Sequence, residues 1–275
     1  MQAMKKSIGW EVETAPLTVR NTNSNSHRVI LRDDTHAILG VRSDKYAVFS
    51  NKELEELVNR VVNTSGYELL GYQEFKKGKR VIAYLKLDPN KLNEEDQKLS
   101  INRHTTNDYM LIGNAHDGSS ALFVAFTNVL LRCENQFTLP LRIINLRHLN
   151  AITLTDDQVQ ALVTKYENER KQIYGMMERW SRIPASRALV DSLVSHLIPP
   201  KEKHNEGKTR SRSVKRLRDS IAREVSELGF NFWGVFNGVT HYTTHGAGQR
   251  IFGNPYSNGN KLNEKAIRFL QNRAI

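Results

Sequence analysis

The sequence predicts an α+β fold: an N-terminal antiparallel β-sheet core with one helix, followed by a C-terminal helical half. Three observations predict it. Before residue 150, short apolar runs rich in β-branched and aromatic residues alternate with turn signals. One segment there, Lys52–Asn63, instead repeats its apolar residues at helical spacing. From Thr155 onward the helical rhythm takes over. The chain thus divides into a β-rich core, residues 1–150, and a helical region, residues 151–275, packed with the core as one unit.

In order, residues 1–27 read as extended or loose, with the polar run Asn21–Ser26 as a flexible loop. Val29–Leu31 and Ala37–Val41 flank Asp33-Asp34-Thr35-His36 and predict a hairpin. Ser50 or Asn51 caps the helix that follows, whose Leu54, Leu57, Val58, Val61 and Val62 share one face. Tyr67–Phe75 and Arg80–Leu87 form a second hairpin around Lys76-Lys77-Gly78-Lys79, a tip that is nearly all cationic. Asp88–Asn102 is a polar excursion. The longest apolar stretch comes next, split by Asp117-Gly118 into Tyr109–Ile112 and Ala121–Leu131. The second run reads as an interior strand, and Arg142–Arg147 alternates as a half-exposed one.

Thr155 and Gln158 have capping-box spacing. Val159, Leu162, Val163, Tyr166, Ile173, Met177 and Trp180 then predict a helix of about seven turns, its stripe interrupted by Arg170. Pro184 breaks it. A shorter helix, Ser186–Leu197, ends at Pro199-Pro200. Residues 201–213 contain no apolar side chain and read as a mobile connection or lid. Val214, Leu217, Ile221 and Val225 define another helix with Lys215, Arg216 and Arg218 on its outer face. Asn231 caps a helix that closes at Gly246, residues 246–261 read as a loop, and Leu262–Asn272 is a last amphipathic helix.

The charge balance narrows the function classes. Forty Lys and Arg face 29 Asp and Glu across 275 residues, a net charge of +11 and a pI near 9.7. Such an excess favours a polyanionic partner, because each phosphate that is neutralised releases a condensed counterion. Cys133 is the only cysteine, so an intrachain disulfide is excluded and a reducing cytoplasm fits. No apolar run approaches the roughly 18 residues of a spanning helix, and the first ten residues lack a signal peptide's apolar stretch. A soluble, cytoplasmic protein is expected. There is no GxxxxGK[ST] loop, no strand-borne GxGxxG and no GxSxG elbow, so no nucleotide cofactor is implied and no catalytic residue is predicted.

Three groups of residues are candidates for a site. The first is cationic: between Lys201 and Arg218, eight basic residues, among them Lys208, Arg210, Arg212, Lys215, Arg216 and Arg218, face only Glu202 and Glu206. Lys76, Lys77 and Lys79 at the hairpin tip, with Arg132, Arg142 and Arg147 at the rim of the sheet, could extend this into a groove for a phosphate backbone. The second group is aromatic. Phe232, Phe236 and Tyr242 have core spacing, whereas Trp233 lies off that stripe and Tyr256 lies in a loop, so these two are the base-stacking candidates. The third is a rival metal site. His241 and His245 are four apart on a helix, and His116, Asp117 and His148 could add ligands, although the Glu of HExxH is missing. That arrangement would make the protein a metal-dependent hydrolase or nuclease. A third reading is an oligomeric mobile-element protein that acts on a host factor and is basic only incidentally.

Several motifs, in order, carry a family resemblance. They are Gly9-Trp10 with Pro16, Leu39-Gly40-Val41 with Tyr46, and Gly66-Tyr67 with Gly78; then His116-Asp117-Gly118-Ser119-Ser120, Arg132-Cys133-Glu134-Asn135 and Arg147-His148; and last Trp233-Gly234-Val235-Phe236-Asn237-Gly238-Val239-Thr240 with His245. Together they resemble the phage/plasmid-like family known as domain of unknown function 932. Where that family's last motif has Glu-Tyr and Asp-His, this chain has His241-Tyr242 and Thr244-His245, without the carboxylates a metal site would use. More distantly, a β-rich core followed by helices is similar to the single-strand annealing proteins of phage recombination. That similarity implies ATP-independent binding and annealing of single-stranded DNA, and assembly into homo-oligomeric rings or filaments.

Overall fold

Two turns with left-handed backbone lay out the N-terminal half. Arg20 and Asn21 (φ 48° and 65°) join strands β1 (Val12–Val19) and β2 (Thr22–Arg32). Lys76 and Lys77 (φ 51° and 59°) join β4 (Glu68–Phe75) and β5 (Arg80–Lys86). In the first, a two-residue turn, positive φ at both central residues matches the twist of a tight hairpin. The computed structural model describes residues 4–87, 106–130, 136–146, 154–200, 207–246 and 258–274; the side chains of 106–107, 128–130, 136–146, 207–210 and 246 lie outside that description.

The first turn corrects one expectation: Thr22–Ser26 is strand, paired with β1, and not a flexible loop. Its side chains are mostly exposed on both faces, so there was no apolar alternation to see, and the turn has no glycine. The expected core sheet is also two sheets. β1, β2 and β3 (Ile38–Ser43) make a three-stranded one. β4, β5, β6 (Thr106–Ala115), β7 (Leu122–Leu130) and β8 (Gln136–Leu146) form an antiparallel meander in sequence order. β7 is interior, between β6 and β8. The expected excursion at 88–102 lies outside the described residues; the hairpins around Asp33–His36 and Lys76–Lys79 and the turn at Asp117-Gly118 follow the sequence reading.

Helix α1 (Asn51–Ser65) begins at a Ser50/Glu53 capping box and ends at Gly66, whose φ of 70° suits glycine. Its Leu54, Leu57, Val58 and Val61 pack with one face of the large sheet: Val81, Ala83, Leu85, Met110, Ile112, Val124 and Phe126. Helix α2 (Asp156–Arg182), capped by Thr155 and Gln158, adds Val159, Leu162, Tyr166, Met177 and Trp180 to the same core. Burial of each large side chain contributes about 1.5–3 kcal/mol. The opposite face of the sheet buries Ile82, Tyr84, Leu111 and Ala125. With both faces covered, β5 reads Val-Ile-Ala-Tyr-Leu without alternation.

Arg170, the break in the stripe of α2, is itself buried. It pairs with Asp108 on β6 at 3.3 Å and with Glu167 at 2.9 Å. Tyr174 donates to the same Asp108 at 2.6 Å, and the Tyr67 hydroxyl donates to Glu167. Burial alone would lower the pKa of Arg170, but Glu167, Tyr67 and Asp108 raise it on balance. The guanidinium therefore stays charged and ties helix to sheet.

The rest is helical, as expected: α3 (Arg187–Leu197), α4 (Gly207–Leu228), α5 (Phe232–His241) with a π-helical turn at Tyr242–Gly246, and α6 (Asn258–Gln271). The lid expected at 201–213 is helix from Gly207 onward; residues 201–206 lie outside the described set. Lys and Arg are good helix formers, and a helix docked at its C-terminal end propagates backward one bond per residue. α6 likewise begins four residues before the expected Leu262. α4 and α5 approach closely at two glycines. A Cβ on Gly234 would lie 2.3 Å from the Gly229 carbonyl oxygen, and one on Gly238 would lie 2.3 Å from the Ile221 Cα. Among the described residues, no helix is long and apolar enough to cross a membrane.

Candidate functional site

The β4–β5 tip owes its shape to what it packs on. Gly78 has φ 90°, and a Cβ there would lie 2.8 Å from the Arg32 guanidinium and 2.9 Å from the Trp10 ring. Arg32 stacks over Trp10 at 4.0 Å and forms ion pairs with Asp34 and Glu74, both at 2.7 Å. The hydrogen bond from Arg32 lowers Asp34 to a pKa of about 2. Arg32 is therefore a fastener between the two sheets. With Gly78 held this way, Lys76 and Lys77 project into solvent while Lys79 is half-buried.

The β6–β7 turn lies beside that tip, with the His116 amide donating to the Lys79 carbonyl at 2.9 Å. Asp117 accepts from the Ser119 amide at 2.9 Å and from the Ser119 hydroxyl. Arg80 donates to that hydroxyl oxygen at 2.9 and 3.1 Å. Arg42 lies over Gly118, where a Cβ would come within 2.2 Å of its Nε. Burial works against the Asp117 charge, yet the Ser119 hydrogen bonds, Arg80 and Lys76 hold its pKa below the ordinary value. One carboxylate thus lies among Lys76, Arg80 and Arg42, and this end of the sheet is cationic. Arg42 and Arg80 were not singled out in the sequence, because each is a lone arginine on a strand whose neighbours across the turn are set by the fold.

The histidine ligands of the rival metal site are placed differently. His116 is buried, 5.6 Å from Trp10 and edge-on to it. Its Nε2 is 2.9 Å from the Asn51 oxygen, and its Nδ1 is 3.4 Å from the Asn114 amide nitrogen. The Asn51 amide donates to the Trp10 carbonyl, so its oxygen accepts and His116 carries its proton on Nε2. Both ring nitrogens are engaged. His241 and His245 lie on α5 and the turn after it, with ring centroids 4.8 Å apart. His241 Nδ1 is 3.1 Å from the Ser220 hydroxyl on α4. Burial, then His245 and Arg223, lower the pKa of His241. Among the described residues, no three His, Cys, Asp or Glu side chains are grouped to hold a metal, and His148 lies outside them.

The larger cationic surface is α4. It buries Leu217, Ile221 and Leu228, which fixes Arg212, Lys215, Arg216 and Arg218 as exposed residues on its other side. Lys215 pairs with Asp219 and Arg218 with Asp191, at 2.7 and 2.6 Å. Arg212 and Arg216 make no ion pair among the described residues. Arg223, passed over in the sequence because it stands apart from the run, continues this exposed side toward His241. Lys208 and Arg210 lie in the first turn of α4 by backbone, with side chains outside the description. Arg142 is on β8 in the same sense, and Arg132, Arg147 and Tyr256 lie outside the described residues. The predicted cations therefore occupy two layers, the turn end of the sheets and the outer side of α4. α4 packs on α5, which packs on α2. Trp233 is a correction: it is 2% exposed, packed 6.1 Å from Phe236, and cannot stack on a base. Phe232, Phe236 and Tyr242 are buried as their spacing predicted.

The family model described as Domain of unknown function (DUF932) matches residues 38–267. The chain belongs to this family. The matched span runs from β3 to α6, so it takes in the large sheet, the cationic turns and α4. Some of its motif residues in this DUF932 chain are explained by packing: Gly40 closes on the Asp117 backbone, with a Cβ only 3.3 Å from its Cα, and Gly234 and Gly238 admit α4. No curated protein and no solved structure matches the chain.

Proposed function

We propose that this DUF932 protein binds single-stranded nucleic acid, most naturally single-stranded DNA, without ATP, and that it acts in strand annealing during phage or plasmid recombination. The observation that carries the reading is the exposed basic side of α4, in a chain whose net charge is +11. A helix held by its apolar face presents Arg212, Lys215, Arg216 and Arg218 as a unit, and such an array grips phosphates while leaving base edges free to pair. The cationic turns carrying Lys76 and Lys77 supply a second contact. Annealing by this route needs neither nucleotide nor metal. It is a cytoplasmic activity, and a homo-oligomer would hold two strands alongside one another.

Titration of a fluorescent oligonucleotide across a salt series tests this. Each phosphate contact contributes a slope of about 0.7 in log affinity against log salt for single strands. Replacing Arg212, Lys215 and Arg216 together by alanine is expected to reduce that slope by about 2. Absent or salt-independent binding by the unaltered protein overturns the reading, and an unchanged slope in the triple variant removes α4 from it.

A further inference from the structure

We infer that the groove between α3 and α4, closed at one edge by Phe230, is a subsite for one unstacked base of a bound single strand. This rests on the proposed nucleic-acid binding and names a place for the base, which that reading lacks once Trp233 is buried. The groove has a volume of about 370 Å³. Val190, Ile221 and Val225 form its apolar floor, and Arg187, Arg218 and Asp191 stand at its rim.

Phe230 is 44% exposed, and it is the one aromatic residue among the large exposed apolar side chains of the described residues. That exposure is built in. The Ala185 amide donates to the Phe230 carbonyl at 2.9 Å, and the Phe232 amide donates to the Ile183 carbonyl at 3.0 Å. These bonds flank a bridge between Pro184 and Asn231, and Asn231 in turn caps α5. The backbone on both sides of Phe230 is pinned, so presenting the ring at the groove carries no backbone ordering cost when a ligand arrives.

The charge around the ring decides which ligand fits. Arg218 is held at 2.6 Å by Asp191 through one nitrogen, which orients the guanidinium and leaves its other N–H groups for a phosphate. Arg187 is the first residue of α3, and the basic side of α4 continues from Arg218 to Lys215. An apolar protein side chain would fill the floor but would leave unanswered the net positive charge of a rim where Asp191 offsets only one of the two arginines. A nucleotide supplies both a flat aromatic face for Phe230 and an anion for the arginines.

Three probes decide the matter: oligothymidylate, an abasic deoxyribose-phosphate strand of the same length, and inorganic polyphosphate. They are titrated against the full chain and its Phe230→Ala and Phe230→Tyr variants. The unaltered protein is expected to prefer oligothymidylate to the abasic strand. Phe230→Ala should weaken oligothymidylate binding by about 5- to 150-fold, leave abasic binding and the salt slope unchanged, and keep its melting temperature. Phe230→Tyr, which retains the aromatic face, should bind as the parent does. If Phe230→Ala binds oligothymidylate as tightly as the parent, the subsite is overturned while backbone binding stands. If the parent binds none of the three, or binds all three alike, the subsite fails, and in the former case the proposed function fails with it.

Discussion

Replacing Arg170 by methionine is expected to be among the most damaging single changes that leave the surface untouched. The guanidinium is 1% exposed and Asp108, its partner on β6, is 6% exposed. Methionine keeps the unbranched apolar stem but removes the charged guanidinium, leaving the Asp108 carboxylate buried beside Tyr174 and Tyr166, whose phenol is itself pushed well above its ordinary pKa by burial and by Asp108. Breaking one side of a buried pair costs about 3–5 kcal/mol, against a total of about 5–15 kcal/mol for a typical domain. With an m-value of about 3 kcal/mol/M, the urea midpoint should fall by roughly 1–1.7 M. Trp10, Trp180 and Trp233 are buried and their fluorescence reports the transition. Combining Arg170→Met with Asp108→Asn should cost less than the two single changes added together, because the stranded charge is gone. A midpoint shift below about 0.3 M in the single variant, or strict additivity in the pair, would refute the coupling of α2 to β6 through this ion pair.

Gly175→Ala should stabilise the protein by about 0.5–1 kcal/mol, since a Cβ there meets nothing within 4 Å and alanine favours the helix; Gly238→Ala should destabilise it by about 1–3 kcal/mol, since its Cβ would strike the α4 backbone at Ile221. Thermal melting distinguishes the two, and equal shifts of one sign would contradict the packing of α4 on α5. His241 should give an acid-side dependence: its folded pKa lies below the unfolded value of 6.5, so the unfolded chain takes up the proton first. The stability it contributes is complete above 6.5 and is lost as the pH falls from there toward the folded value. A His241→Gln variant should lose less melting temperature than the parent between neutral and mildly acidic pH, and parallel curves would show that this histidine is not linked to folding.

Where a local signal sufficed, the sequence reading reached the structure. The Ser50 and Thr155 caps, the stripe of α2 and the Lys76–Lys79 hairpin all depend on residues a few positions apart. Thr22–Ser26 and Gly207–Ser213 were misread because neither segment carries an apolar pattern from which a strand or a helix could be read. Trp233 was misread for a related reason. α5 is covered on nearly every side, so a position off its main stripe is still inside.

The sequence by itself determined the class of fold, the order of most elements and the cationic excess, since these follow from periodicity, turn chemistry and charge summed along the chain. Only the tertiary structure decided which charges are spent and which are left. Arg32 and Arg170 are consumed as fasteners by Glu74 and Asp108, partners 42 and 62 residues away, whereas Arg212 and Arg216 stay in solvent because α4 is anchored by its other face. An arginine looks the same in sequence whether it is buried and paired or exposed. The difference lies in long-range contacts, which no local pattern encodes.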